Sequence, residues 1–193
     1  MVAVVEALMT KLMIVVGSVR PGRVGLPIAK WVEEIARANS EFEIDFADLA
    51  EINLPFMDEP GHPAARQYTK PHTIAWSERV DAADAFIFVT PEYNHSFSPA
   101  LKNAMDFLKQ EWDNKPIGFV SYGASAAGTR GVAALDSVLG FMGMRKVGPS
   151  VDISAVWTRV ADDKFLAEER EVETLNAQLA QLKSYSELFA SVR

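Results

Sequence analysis

The chain has 193 residues, a length typical of one domain, and 49% of them are hydrophobic, 23% charged and 10% aromatic. This composition excludes intrinsically disordered, collagen-like and disulfide-scaffold proteins. No cysteine is present, which excludes disulfides, iron–sulfur clusters, thiolate zinc sites and a cysteine nucleophile. The net charge of −7 argues against a nucleic-acid-binding surface, because such surfaces are broadly basic.

The amino-terminal segment does not have the pattern of a targeting signal. Residues 1–10 lack a basic leading region and include Glu6, so we expect a disordered extension there. No apolar run approaches the roughly 20 residues that span a bilayer, so we expect no membrane-embedded segment. Together with the absence of cysteine, these features favour a cytoplasmic protein.

Apolar runs and amphipathic spacing alternate along the chain. Continuous apolar runs such as 12–16 predict strands that are buried on both faces of a sheet. Apolar residues at spacings of three and four, as in 28–36, predict helices with one buried face. The predicted strands cover 12–16, 42–46, 85–90, 117–121 and 147–153, the last interrupted by Gly148-Pro149. The predicted helices cover 28–36, 74–83, 98–109, 132–142 and 160–193.

This alternation predicts a single α/β domain over residues 1–193, with a doubly wound parallel sheet and helices on both faces. In such sheets ligands bind at the carboxyl ends of the strands, beside the point where the strand order reverses. The loops that follow the first, third and fourth predicted strands are therefore the candidate functional segments.

The first loop, 17–25, joins a buried strand to the start of a helix and contains Ser18, Arg20 and Arg23. Backbone amides and the helix dipole favour an anion at such a junction, and these side chains add charge-assisted hydrogen bonds. Because residues 7–32 contain no Asp or Glu, we expect the arginine charges to remain uncancelled. The spacing matches neither the dinucleotide fingerprint nor the NTPase phosphate loop. A Gly/Pro turn with solvated arginines is the alternative.

The other two loops have unusual compositions for plain connections. The second, 91–96, reads Pro-Glu-Tyr-Asn-His-Ser, in which Tyr93 and His95 can flank a planar ring and Asn94 can meet its heteroatoms. The third, 121–128, consists mostly of small residues, so its backbone can approach a ligand closely. The alternatives are a proline-led turn before a helix capped at Ser98, and a loop made small for packing.

Three motifs in these loops carry a family resemblance. They are Gly17-Ser18-x-Arg20, then Pro91-Glu92-Tyr93-Asn94 followed by Ala-Leu-Lys-Asn-Ala-Met-Asp at 100–106, and then Ser121-x-Gly123. With them, residues 11–150 resemble the NADPH-dependent FMN reductase family, which includes flavodoxin-like quinone, chromate and azo reductases. The resemblance implies a flavodoxin-like five-stranded sheet of order 2-1-3-4-5 that holds FMN at its strand ends, in a homodimer or homotetramer.

The resemblance also implies roles for individual loop residues. The FMN phosphate would be held by Ser18, Arg20 and the amides near Arg23 and Val24. The isoalloxazine would be lined by Pro91, Glu92, Tyr93 and Asn94, with His95 at its edge and Ser121, Tyr122 and Gly123 at its pyrimidine side. Arg23 stands where some members of the family have a serine, so a hydroxyl is exchanged for a cation.

The activity implied is hydride transfer from NADPH or NADH to FMN, followed by two-electron transfer to a small-molecule acceptor such as a quinone, in a ping-pong cycle. FMN carries this chemistry, so no catalytic side chain is expected. Amides near Gly123 and the second loop would stabilise negative charge on the reduced ring. The alternatives are a flavodoxin-type electron carrier without a nicotinamide site, a reductase that supplies reduced FMN to a monooxygenase, and a ligand-sensing module on the same fold.

The remaining polar and aromatic residues are assigned no chemistry. The three histidines show no metal-ligand spacing, so no metal site is expected. Asp58 and Glu59 lie in a proline-rich loop and are interpreted as surface charge. The predicted core or subunit contacts are Trp112, Phe141, Met142 and Trp157. The alternative is that one of them, from a neighbouring subunit, closes the flavin pocket.

Overall fold

The computed structural model describes residues 9–39 and 41–190. The strands are β1 (Thr10–Val16), β2 (Phe42–Asp48), β3 (Ala85–Pro91), β4 (Pro116–Tyr122), β5 (Arg145–Lys146), β6 (Val151–Ile153), β7 (Val160–Ala161) and β8 (Lys164–Phe165). The helices are α1 (Gly25–Ala38), α2 (Leu49–Ile52), α3 (Pro71–Ala82), α4 (Pro99–Asp106), α5 (Thr129–Met142) and α6 (Glu169–Ala190). Of the extension predicted at 1–10, Thr10 belongs to β1 and residues 1–8 lie outside the described residues.

The main sheet is parallel and has the order β2-β1-β3-β4-β5, which confirms the predicted flavodoxin-like order. Strand β1 lies between two neighbours, and its Leu12 is aligned with Ile44 of β2 and with Ala85 of β3. The chain passes from β1 to β2 on one side of β1. It then crosses back over β1 to form β3 on the other side. This reversal opens the crevice at the carboxyl ends of β1 and β3, where ligands bind in such folds.

The core forms two layers because successive residues of a strand face opposite sides of the sheet. On one side Met13, Val15 and Phe88 pack beneath α2, α3, α4 and α5. On the other side Leu12 and Ile14 pack beneath α1 and α6. Helices therefore cover both faces of the sheet. Because β1 and β3 are buried on both faces, their residues are apolar at consecutive positions, which is the pattern that predicted these strands.

The predicted fifth strand is divided into two short ones. Strand β5 pairs with the start of β4, and β6 pairs with its end. Between them Gly148 has a φ of +75° and is followed by Pro149, which has no amide to donate to a ladder. The chain therefore leaves the sheet and rejoins it, and β6 reaches the same edge as the carboxyl end of β4.

Two helix boundaries differ from the prediction. Helix α4 ends at Asp106 rather than near residue 109, and the indole N–H groups of Trp76 and Trp112 bind carbonyls of its last turn, at 2.8 and 3.2 Å. The carboxyl-terminal helix begins at Glu169 rather than at residue 160. Residues 160–165 form the hairpin β7–β8 instead, because Asp162 and Asp163 adopt the left-handed conformations that its tight turn requires.

None of the helices within 9–39 and 41–190 combines the length and the apolar character needed to cross a lipid bilayer.

Candidate functional site

The three candidate loops converge on one cavity of about 350 Å³ at the carboxyl ends of β1, β3 and β4. Its volume lies within the usual range of small-molecule sites, roughly 300–1,000 Å³. The predicted site residues that line it are Ser18, Arg20, Arg23, Val24, Pro91, Glu92, Tyr93, Tyr122 and Gly123. Those that do not line it are Asn94, His95 and Ser121. The lining residues that sequence analysis did not assign to the site are Pro21, Gly22, Ala124, Val156 and Trp157.

The first loop leads directly into the amino terminus of α1. The residue before the helix, Val24, offers no side-chain cap, and the first turn carries no acidic residue. The first amides of the helix therefore lack an acceptor from a capping side chain, and the helix dipole concentrates positive potential at the cavity wall. Gly22 has a φ of +68°, a conformation that brings the chain around this turn at little steric cost. This end of the cavity is suited to an anion.

The two arginines of the first loop differ in their surroundings. Arg23 forms a bidentate ion pair with Asp48, at 2.7 Å from Nη1 to Oδ1 and 2.5 Å from Nη2 to Oδ2, and Nη1 also donates to the Ser18 carbonyl at 2.6 Å. The expectation that its charge stays uncancelled is wrong, because Asp48 comes from the end of β2, outside residues 7–32. Arg23 therefore ties the loop to the neighbouring strand.

Arg20 is the cationic group of the loop that remains available. Its side chain is exposed, it lines the cavity, and within the part of the chain that the structure describes it makes no ion pair. Its backbone N–H lies 3.4 Å from the hydroxyl of Ser18. The Ser18 hydroxyl also hydrogen-bonds that of Tyr93 at 2.8 Å, which joins the first loop to the second.

The second loop turns sharply just beyond β3. Tyr93 donates its N–H to the Ser96 carbonyl at 2.8 Å, and Ser96 returns the bond at 3.0 Å. The residues between them, Asn94 and His95, have φ values of +49° and +67°, as the two central positions of a type I′ turn require. Both side chains are exposed and lie outside the cavity lining. The turn therefore brings Tyr93 to the cavity and places Asn94 and His95 at its periphery.

Glu92 is held by a partner that sequence analysis did not find. Its Oε1 accepts from Nε of Arg130 at 2.7 Å, and its Oε2 is buried without a hydrogen-bond partner among the described residues. The hydrogen bond and charge of Arg130 lower the pKa of Glu92, so the carboxylate is ionised at neutral pH. Because Arg130 lies at the start of α5, this pair fixes the second loop against the third.

The third loop contributes Tyr122, Gly123 and Ala124 to the cavity. The Gly123 N–H donates to the Ile153 carbonyl at 3.1 Å, so this amide is already engaged within the fold. Ser121 is fully buried, and its hydroxyl contacts the Ala127 carbonyl and Asp152 at 2.8 and 2.9 Å. Ser121 therefore supports the loop from within the fold and does not reach the cavity, whereas Gly123 lines the cavity with its amide bonded to β6.

Tyr122 packs beneath the first loop. Its side chain is buried against α1, where a Cβ at Gly25 would collide with its hydroxyl. Burial is the largest cause that raises the pKa of this phenol, so it stays protonated at neutral pH. A residue expected beside a ring therefore also supports the amino terminus of α1.

The aromatic residues interpreted as core or subunit contacts divide into two groups. Trp112 and Met142 are buried in the core. Phe141 is 72% exposed, and Trp157 is 64% exposed at the rim of the cavity. Trp157 follows β6 by four residues, and that position after a strand is the one sequence signal that places it near the carboxyl edge of the sheet.

The histidines and the acidic pair of the proline-rich loop have structural partners. His72 pairs with Asp58 at 2.8 Å, and the ring of His62 accepts from the Ala64 amide at 3.2 Å. Glu59 is buried and accepts from the N–H and the hydroxyl of Thr69 at 2.6 and 2.7 Å, rather than being surface charge. Among the described residues no cluster of three His, Cys, Asp or Glu side chains could bind a metal ion.

Comparison with known proteins decides the family. The model of the NADPH-dependent FMN reductase family matches residues 10–158. The chain belongs to the NADPH-dependent FMN reductase family. It is therefore an oxidoreductase that uses FMN and a nicotinamide donor, which confirms the predicted enzyme class and cofactors.

Individual relatives of this FMN reductase family member agree with the match. The chain is 41% identical to an NAD(P)H-dependent FMN reductase of Schizosaccharomyces pombe over 143 residues, which cover 73% of this chain and 70% of that protein. It is 32% identical to a 2-hydroxy-1,4-benzoquinone reductase of a Burkholderia species over 143 residues, covering 67% and 73% of the two chains. The structure of FerB, a flavoenzyme NAD(P)H:(acceptor) oxidoreductase from Paracoccus denitrificans, superposes with a TM-score of 0.74 over 92% of this chain and 99% of that one. At 19% identity, that likeness supports the fold alone.

The residues of this family member fit FMN. The uncapped start of α1, which is suited to an anion, lies at the same cavity as the guanidinium of Arg20, which makes no ion pair among the described residues. Pro91, Tyr93 and Gly123 line the same cavity, whose volume of about 350 Å³ lies in the range of small-molecule sites. A phosphate tail and a planar ring are the two parts that this arrangement accommodates.

Proposed function

We propose that this enzyme takes a hydride from NADPH or NADH and, through FMN in the 350 Å³ cavity, delivers two electrons to a small-molecule acceptor, with quinones as the acceptor class. The observation that carries the proposal is the joining of an uncapped helix amino terminus, a free arginine and three strand-end loops in one cavity. The quinone reductase among its relatives supports the acceptor class.

The first loop is proposed to hold the FMN phosphate. The amides at the start of α1 and the Ser18 hydroxyl donate hydrogen bonds, and Arg20 supplies the charge. Arg23, neutralised by Asp48, serves this anion through its backbone and by holding the loop. Val24 contributes its main chain at the point where the helix begins.

The second and third loops are proposed to hold the isoalloxazine. Pro91, Glu92 and Tyr93 form one wall of the cavity, and Tyr122 and Gly123 form another. Asn94 and His95 are assigned to the edge of the ring, because they occupy the two central positions of the turn that follows Tyr93. Ser121 supports the third loop from within the fold.

FMN, when bound, supplies the redox chemistry by accepting a hydride from the nicotinamide and passing two electrons to the acceptor. The chain's own residues bind and orient the cofactor, and no side chain is assigned proton transfer or nucleophilic attack. The nicotinamide and the acceptor use the same opening in turn, which predicts ping-pong kinetics. Parallel lines in double-reciprocal plots would support this order, and intersecting lines would contradict it.

We further propose that the protein is cytoplasmic and assembles as a homodimer or homotetramer. Several large apolar side chains are exposed, including Phe56 at 87% and Phe141 at 72%, and contacts between copies of the chain would bury such surface. Sedimentation equilibrium of the purified protein measures the assembly, and a monomer at all concentrations would contradict this part of the proposal.

The decisive experiment is spectroscopic. The purified protein is examined for bound flavin, the flavin is released and identified, and NADH or NADPH is then added without oxygen and without another enzyme. Rapid bleaching, followed by recovery on addition of a quinone, is the expected result. A colourless protein that gains no heat resistance from added FMN would overturn the proposal.

The same preparation separates two of the three alternative functions from the proposed one. Slow bleaching with both nicotinamides would favour a flavodoxin-type carrier, because such a protein lacks a nicotinamide site. Loss of the flavin during gel filtration would favour a reductase that supplies reduced FMN to a monooxygenase. Retained flavin with fast bleaching supports the proposed oxidoreductase.

A further inference from the structure

Trp157 combines exposure with a position at the candidate cofactor cavity. Its indole is 64% exposed, while Trp76 and Trp112 are buried in the core. Isolated apolar side chains on a protein surface are common and need no ligand to explain them. Trp157 differs from the exposed Phe56, Phe141 and Tyr185 because it lines the same cavity as Arg20 and Tyr93.

The backbone that carries Trp157 is fixed at several points. Ala155 and Val156 donate their N–H groups to the carbonyls of Ala124 and Gly123, each at 3.3 Å. The Val156 side chain is buried in the core, and the turn closes with a bond from the Arg159 N–H to the Val156 carbonyl at 3.0 Å. Arg159 in turn pairs with Glu171 of α6 at 2.8 Å. The indole therefore projects from a rigid segment next to the third loop.

The other two aromatic residues of the cavity are already committed to contacts within the protein. Tyr122 is buried against α1, and the hydroxyl of Tyr93 is bonded to Ser18. Within 9–39 and 41–190, Trp157 forms no ring stacking with another aromatic side chain. An indole on a rigid backbone offers a large apolar surface at a small entropic cost.

We propose that Trp157 is a cofactor-contact residue whose indole packs against FMN bound in the cavity and helps to retain it. This inference rests on the proposed function, because it requires FMN in that cavity. Trp157 lies in the segment that follows β6, so this contact comes from a fourth segment in addition to the three strand-end loops. The contact is to FMN rather than to the nicotinamide or to the acceptor.

The first test measures solvent access to the indole. Acrylamide quenching of tryptophan fluorescence is recorded for the FMN-free protein and for the FMN complex, in the unaltered chain and in Trp157→Phe. We expect the FMN-free protein to have a strongly accessible indole that Trp157→Phe lacks, and we expect bound FMN to protect that indole. An indole equally accessible in both forms overturns the inference, whether or not FMN binds.

The second test measures affinity. Trp157→Ala weakens FMN binding about tenfold, because an aromatic contact of this kind is lost, while Trp157→Phe retains most of the affinity. Phe141→Ala is the matched control, because it removes an exposed aromatic side chain that does not line the cavity. Circular dichroism and the thermal midpoint of the FMN-free variants establish that each one is folded.

The outcomes separate this inference from the proposed function. If the unaltered chain binds no FMN, the proposed function fails and the inference fails with it. If the unaltered chain binds FMN and Trp157→Ala binds it equally well, only the inference fails. A raised KM for the nicotinamide or the quinone at saturating FMN, with unchanged FMN affinity, also overturns it, because Trp157 would then contact a substrate. Weaker FMN binding with KM values unchanged at saturating FMN supports it.

Discussion

The different surroundings of the two arginines in the first loop predict opposite consequences for their removal. Arg23 is 13% exposed at its side chain, and its partner Asp48 is 1% exposed. Arg23→Leu leaves the Asp48 carboxylate buried without its cation. Arg20 is exposed and makes no ion pair among the described residues, so Arg20→Ala leaves no buried charge behind.

The expected magnitudes follow from these contacts. Breaking a buried ion pair by removing one partner costs about 3–5 kcal/mol, and the low exposure of both groups limits solvent screening. For a chain of this size, Arg23→Leu then lowers the Tm of the FMN-free protein by roughly 6–20 °C. Arg20→Ala changes the stability of the FMN-free protein by less than about 0.5 kcal/mol. It weakens FMN binding by about 1.5–3 kcal/mol, or roughly 10- to 150-fold, through one lost charge-assisted bond to phosphate.

Thermal denaturation and ligand titration together test both assignments. Riboflavin has the same ring as FMN without the phosphate, so Arg20→Ala should lower FMN affinity and leave riboflavin affinity unchanged. Arg145→Ala removes an exposed arginine outside the cavity and is the matched control. In the double variant Arg23→Leu/Asp48→Asn the stability loss is smaller than in Arg23→Leu, because the unpaired carboxylate is gone. Arg23→Leu with an unchanged Tm and a larger loss of FMN affinity than Arg20→Ala would refute the reasoning.

Burial raises the pKa of Glu59, but hydrogen bonds from Thr69 and its neighbours outweigh burial and lower the pKa to about 2. The stability that this carboxylate contributes is therefore present above pH 4.5 and is lost between about pH 4.5 and 2. In urea unfolding, Glu59→Gln should have a lower free energy of unfolding than the unaltered chain at pH 7, and the difference should be much smaller at pH 3. Gly25→Ala should destabilise the fold by about 1–3 kcal/mol through collision with the Tyr122 hydroxyl, and Tyr122→Phe should relieve part of that loss in the double variant, measured by chemical denaturation. Ser98→Ala should cost about 1 kcal/mol in the same assay, because it removes the cap of α4 and the bond to the Gly17 carbonyl.

The parts of the fold that the sequence predicted are those with strong local patterns. Strands buried on both faces read as continuous apolar runs, so β1, β3 and β4 were predictable from the sequence pattern. Their order in the sheet was expected from the family resemblance and not from the runs themselves. The hairpin β7–β8 could not be predicted in this way. Its turn consists of Asp162 and Asp163 in left-handed conformations, and an Asp-Asp pair in a sequence is not specific for a turn. The early end of α4 was also not predicted. The last carbonyls of this helix accept hydrogen bonds from the indole N–H groups of Trp76 and Trp112, which belong to other elements, so the local sequence of α4 does not show them.

The sequence predicted which loops form the candidate site, but it did not predict the ion pairs that hold those loops in place. The three motifs placed the loops at one edge of the sheet, and most of the residues named from them line the cavity. The pairs Arg23 with Asp48 and Glu92 with Arg130 join residues 25 and 38 positions apart, so no local spacing predicts them. Trp157 was interpreted as a core or subunit contact, because no motif in the sequence links it to the three loops.

These pairs affect how firmly the site holds its cofactor. The first loop is tied to β2 through Arg23, the second to the first through Tyr93 and Ser18, and the third to β6 through Gly123. Each bond is made between parts of the protein and needs no ligand, so we expect binding of FMN to order little additional chain. A site that loses little conformational entropy on binding keeps more of its contact energy as affinity. This preorganisation favours an enzyme that retains FMN through its catalytic cycle over one that exchanges it as a substrate.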